Sequence, residues 1–169
     1  MDSFGEQIVK KQLSTKDYGI FAATILVSVA ILYLSLMLSP LFMPIVLIIL
    51  CVAIYFIVTS RKLEFEYSVT NGSITIDKII NKQRRKKVIS VDAQDIESMG
   101  KYSPSEHKKN SYRMIFASIK GNGEGGWYFT AHHQKFGNVF VVFDPNEKIL
   151  KNMKPFLRGQ VAVNAFIRH

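Results

Sequence analysis

The stretch YGIFAATILVSVAILYLSLMLSPLFMPIVLIILCVAIYFIVTS, residues 18–60, holds 43 consecutive positions without a charged side chain. The 22 Lys and Arg and the 13 Asp and Glu of this 169-residue chain all lie outside it. A hydrocarbon core of about 30 Å is crossed by about 20 helical residues. The stretch is therefore too long for one crossing and fits two; a single helix would overshoot the bilayer about twofold. Its middle holds Ser39-Pro40 and Pro44, and proline ends or bends a helix by removing a donor and clashing with the preceding turn. The spacing predicts a helix over 17–38, a tight turn over 39–43 and a second helix over 44–60. Such a distribution of charge excludes an ordinary soluble globular domain and a disordered chain.

The flanks give an orientation. Lys10, Lys11 and Lys16 precede the first helix, Arg61 and Lys62 follow the second, and the turn has no Lys or Arg. The positive-inside rule then predicts a two-pass protein of the cell membrane with both termini in the cytoplasm. A cleaved signal peptide does not fit, because the first apolar run exceeds the usual h-region of about 7–15 residues and a second span follows at once. The single cysteine, Cys51, falls in the second helix, so no disulfide pairs within the chain. Residues 1–16 carry Phe4, Ile8 and Lys11 at helical spacing. They read either as a short helix on the inner leaflet or as a solvated end.

Residues 61–169 carry nineteen basic and ten acidic residues, the whole net charge of +9. Their pattern is mostly of period two. Leu63, Phe65, Tyr67 and Val69 alternate with Glu64, Glu66 and Ser68, the mark of a half-buried strand. Asn71-Gly72 is the strongest short hairpin signal, because both positions tolerate positive φ. Further strands are expected over 74–80, 84–91, 96–99, 112–119, 127–131 and 136–143, with a turn at 81–83, a polar loop over 101–110 and a glycine-rich turn over 120–126. After them the period changes. Asp144 as cap and Pro145 at the first helical position open a helix whose inner face is Ile149, Leu150, Met153 and Leu157; Pro155 shortens it and Gly159 ends it. Residues 160–169 read as a tail.

Four strands, three strands and one amphipathic helix, in that order, resemble the pleckstrin-homology (PH)-like fold. The residues that carry the likeness are Tyr67-Ser68-Val69-Thr70-Asn71-Gly72-Ser73-Ile74-Thr75-Ile76, the basic stretch Arg84-Arg85-Lys86-Lys87-Val88-Ile89 and Ile96-Glu97-Ser98-Met99. They resemble the bacterial PH-like domains found after paired transmembrane helices in small membrane proteins. The expected architecture is α+β and mostly β. A cytoplasmic segment (1–16) leads to a transmembrane helical hairpin (17–60) and a partly open PH-like barrel of about seven strands with one C-terminal helix (61–159). The resemblance implies a binding or scaffolding module. PH domains that bind phosphoinositides usually place their basic motif around the first hairpin loop; here Thr70-Asn71-Gly72-Ser73 is short and uncharged, which argues against that mode.

The basic run Lys78, Lys82, Arg84, Arg85, Lys86 and Lys87 is the most informative constellation. A strand that starts at the membrane and runs seven residues at about 3.3 Å each is followed by one that returns. The turn at 81–83 and the basic run then come back toward the inner leaflet, where each basic residue is worth about 1 kcal/mol near anionic lipid. The competing reading is a solvated strand whose charges prevent edge-to-edge aggregation. Nucleic acid is disfavoured, since no recognition motif accompanies the charge. Residues 120–126 lack the Gly-Lys-Ser/Thr ending of a phosphate loop. His132-His133 are adjacent and point opposite ways on a strand, with no ligand partner at metal spacing. Asp92, Asp95 and Glu97 read as loop and strand-edge acids. No catalytic set and no cofactor motif emerges, and the membrane stretch holds no proton relay. The expected function is non-enzymatic: a membrane-anchored module engaging a protein partner or anionic inner-leaflet lipid. The alternative is a structural subunit of a larger membrane complex, held through its two helices.

Overall fold

The computed structural model describes residues 4–104 and 112–166. The chain divides into two compact units: residues 13–62, and the residues before and after them.

In the first unit, helix α1 (Thr15–Leu38) and helix α2 (Met43–Ser60) are joined by a 3₁₀ turn, Pro40–Phe42. Both prolines stand in the first turn of their helical segment, where a missing N–H costs nothing. Each helix is long and apolar enough to cross a bilayer. Phe21, Thr24, Ser28, Leu32 and Ser35 are among the less exposed positions of α1 and recur at three- and four-residue spacing, the stripe that meets α2. The hydroxyls of Thr24 and Ser28 donate to the carbonyls of Ile20 and Thr24, each at 2.8 Å, so they need no partner across the helix pair. Asp17 accepts from the Ser14 N–H at 2.9 Å, capping α1, and pairs with Arg61 at 3.4 Å, which ties the two charged ends together.

The second unit carries eight strands in two sheets among the described residues. The first sheet has the order β1-β2-β3-β4, from β1 (Phe4–Lys10), β2 (Leu63–Thr70), β3 (Ser73–Ile80) and β4 (Arg84–Asp92), all antiparallel. The second is β5-β7-β8-β6, from β5 (Ile96–Lys101), β6 (Arg113–Ala117), β7 (Trp127–His133) and β8 (Gly137–Phe143); β6 runs parallel to β8. The inner faces pack Phe65, Tyr67, Val69, Ile74, Ile76 and Ile89 against Phe129, Val139, Val141 and Phe143. The sheets remain separate, so the barrel is not closed. Helix α3 (Glu147–Met153) buries Ile149 and Met153 in the same core. Asn71 and Gly72 have φ of 48° and 86°, as the two-residue hairpin requires.

Three expectations are corrected. Residues 4–10 form neither an interfacial helix nor a solvated end: they are strand β1, paired with β2 from Phe4↔Thr70 to Lys10↔Glu64. The domain therefore takes in residues on both sides of the helical hairpin. The helix cap is Asn146, whose side chain accepts from the Ile149 N–H at 2.9 Å. Asp144 instead accepts from the Ile119 N–H. Finally, Gly159 opens a further helix, α4 (Gly159–Phe166), which buries Val161 and Ala165. The chain reaches it through a 3₁₀ turn at Lys154–Phe156.

A polar network centred on the buried Tyr67 hydroxyl joins these parts. The Tyr67 hydroxyl donates to the Ala117 carbonyl and accepts from the Asp144 N–H at 3.2 Å. Gln7 of β1 donates to the Asp144 carbonyl at 2.9 Å and accepts from the Asn146 N–H at 2.7 Å. Burial holds the Tyr67 hydroxyl and the Asp144 carboxyl above their ordinary pKa values.

Candidate functional site

The basic run occupies β4, an outer strand of the first sheet, and the turn that leads into it, except for Lys78, which lies on the neighbouring β3. Asn81 and Lys82 sit in that turn with φ of 52° and 58°. Left-handed backbone costs a non-glycine residue about 1–2 kcal/mol, so the Lys82 charge is kept at the tip against a conformational penalty. From Ile80↔Arg84 the pairing continues through Ile79↔Arg85 and Lys78↔Lys86 to Asp77↔Lys87, then slips so that Ile76 faces Ile89. Val88 is the extra residue of a bulge.

This bulge decides the faces. Directly opposed residues share a face, so Lys78, Arg84 and Lys86 lie on the side of the sheet that carries Phe65, Tyr67 and Ile76. Arg85 and Lys87 lie on the other side. The basic run is thus divided rather than gathered on one face. On the inner side a row runs Val9, Phe65, Lys78, Lys86, and the row beyond it is Leu63, Ile80, Arg84. Lys78 and Lys86 face each other as like charges, which is unfavourable without an anion to share. Arg84–Lys87 and Lys82 are exposed and Lys78 is half-buried. Among the described residues Lys78, Lys82, Arg84, Lys86 and Lys87 make no ion pair.

Arg85 differs. Its Nη1 lies 3.2 Å from the Glu66 carboxylate, and Glu66 is only 6% exposed. Burial pushes the Glu66 carboxyl above its ordinary value; a hydrogen bond with Glu6 and the charges of Glu6 and Asp77 push the same way, and Arg85 opposes them. Asp77, opposite Glu66, has a buried Oδ1 with no hydrogen-bond partner among the described residues. Strict alternation gave Glu66 to solvent, so sequence reasoning passed over it; the only available signal was its place on the same strand as Glu64, near a basic run.

The turn at 81–83 lies at the end of the sheet where the chain enters and leaves the helical hairpin. Leu63 pairs with Ile80, and the Lys11 N–H donates to the Leu63 carbonyl at 2.9 Å. At the opposite end a cleft of about 340 Å³ is lined by Asp92, Asp95, His132 and His133 with neighbouring polar residues. There His132 Nδ1 lies 2.8 Å from Asn138 Oδ1, and His133 Nδ1 accepts from the Lys135 N–H. Among the described residues no three His, Cys, Asp or Glu side chains gather as metal ligands. In the loop over 120–126, Gly126 is required because a Cβ would meet Asp144 Oδ1 at 2.5 Å.

Comparison with family models matches residues 1–163 to the bacterial PH-like domain family DUF6106, and the chain belongs to that family. The match spans β1, the helical hairpin and the two sheets together. Comparison with curated proteins and with solved structures gave no match.

Proposed function

We propose that this chain is a membrane-tethered, non-enzymatic binding module whose PH-like domain holds anionic lipid head groups of the inner leaflet. The residues that do so are Lys78, Lys82, Arg84 and Lys86. The single observation that carries this reading is the inner-side group with no ion pair among the described residues: two opposed lysines and an arginine beside the half-buried Leu63 and Ile80, a basic and apolar mixture suited to a bilayer interface. Connectivity supports it. Only Arg61 and Lys62 separate the end of α2 from Leu63, which pairs directly with the strand that turns at 81–83. The pairing of β1 with β2 supports the two-pass topology, because residues on both sides of the hairpin belong to one sheet. With the basic flanks, this favours a cytoplasmic domain.

The test uses the full chain in lipid nanodiscs. A fluorophore is placed at Gln83 through Gln83→Cys in a Cys51→Ser background, and a quencher is carried on the lipid. Quenching is expected to be about fivefold stronger per basic contact in phosphatidylglycerol discs than in phosphatidylcholine discs, and to fall as salt rises. The triple variant Lys78→Gln, Arg84→Gln, Lys86→Gln should bring the two lipids level. Equal quenching of the unmodified run in both lipids at low salt overturns the proposal.

A further inference from the structure

The outer face of the first sheet sets a buried acid against Arg85, the one member of the basic run that makes an ion pair among the described residues. Glu66, in the middle of β2, lies opposite Ile8 of β1 and Asp77 of β3, and Asp77 lies opposite Lys87 of β4; Glu6 and Lys10 of β1, Glu64 of β2 and Arg85 of β4 lie diagonally on the same face. Acids and bases are nearly balanced there, and the closest pair is Arg85 with Glu66 at 3.2 Å. Three carboxyls, from Glu6, Glu66 and Asp77, share that face; Arg85 Nη1 approaches Glu66 Oε2, while Asp77 Oδ1 is buried with no hydrogen bond among the described residues. Glu66 is the buried one of the three, so its negative charge is the one that a single added proton most relieves.

We propose that Glu66 is a proton-operated latch on the basic edge: as a carboxylate it neutralises Arg85, and on protonation it releases Arg85 to an anionic membrane surface. The proton comes from bulk water and adds to the Glu66 carboxylate; no other bond changes, and the local charge rises by one. This rests on the head-group reading above. Burial and the neighbouring acids both move Glu66 toward protonation at a milder pH than an ordinary glutamate. Arg85 keeps its charge throughout, and its side chain is 61% exposed, free to turn outward once released.

The experiment is the same nanodisc assay, taken from neutral to mildly acidic pH in phosphatidylglycerol, whose phosphodiester stays ionised over that range. In the parent chain, quenching at Gln83→Cys should rise about fivefold as pH falls, the gain expected from one added cation, in a step centred above the ordinary glutamate range. Glu66→Gln should already show the high value at neutral pH and lose the step. Arg85→Gln, which removes the cation to be released, should stay at the low value throughout, with circular dichroism confirming that the variant is folded. A step that persists unchanged in either variant overturns the latch. Absence of any difference between phosphatidylglycerol and phosphatidylcholine overturns the head-group reading itself, a distinct outcome.

Discussion

Glu66 stands at a strand position that alternation assigns to water, yet it is buried beneath the side chains of its neighbours. The cost of that burial makes a prediction about stability apart from any ligand. A carboxyl whose folded pKa lies above its unfolded value binds its proton more tightly in the native state. The stability it contributes is full below the ordinary value of 4.5 and is lost as pH rises through the higher folded value. Glu66→Gln removes that loss. The variant should therefore melt at a higher temperature than the parent at neutral pH, with the gap closing as pH falls through the same window. Thermal unfolding of the full chain in detergent, followed by circular dichroism across pH, checks this. A gap of constant size at every pH would place the effect in packing rather than in the proton. Arg85 offsets part of the cost at neutral pH, so the effect measures what the pair leaves unpaid.

Strand β1 shows why some elements were legible and others were not. The hairpin β2–β3 was readable because its partners are adjacent and Asn71-Gly72 names its turn. The helices α1 and α2 were readable because composition alone sets them. In β1 the inward residues are Gly5, Gln7 and Val9, while Phe4 and Ile8 are more than half exposed. The apolar alternation thus points the wrong way, and the pairing partner lies beyond the whole helical hairpin. Gly5 faces inward because α3 passes over it: a Cβ there would meet Asn152 Nδ2 at 2.5 Å. Gln7 is inward because it holds the backbone at Asp144 and Asn146, two contacts more than 130 residues away in sequence. Likewise, the basic run was legible as charge but not as geometry. The bulge at Val88 reverses which of its members face the core side, and nothing in the residue types announces it. Gln7→Ala should cost about 1–3 kcal/mol, from two lost hydrogen bonds and two backbone groups left short of partners. Chemical denaturation of the full chain in detergent measures the loss. A change below about 0.5 kcal/mol would mean that water replaces the side chain at both positions.

At the scale of the whole molecule, the helical hairpin is an insertion between two paired strands of one domain. The Lys11 N–H donates to the Leu63 carbonyl at 2.9 Å, and the Gln12 N–H to the Ile119 carbonyl at 2.8 Å, so the two cut ends are already held side by side. Removing residues 13–62 and joining 12 to 63 through a flexible linker of about four residues leaves every strand pair of both sheets intact. A fragment that begins at residue 61 does not. It exposes the edge of β2, takes Val9 out of the core and leaves the start of α3 without Gln7. Unpaired strand edges promote association. The joined protein should therefore be soluble and unfold in one cooperative transition, whereas the fragment should be less stable and prone to aggregate. Size-exclusion chromatography and thermal unfolding of the two proteins side by side decide it. Equal stability and equal solubility would show that β1 adds nothing, and that the hairpin merely precedes the domain.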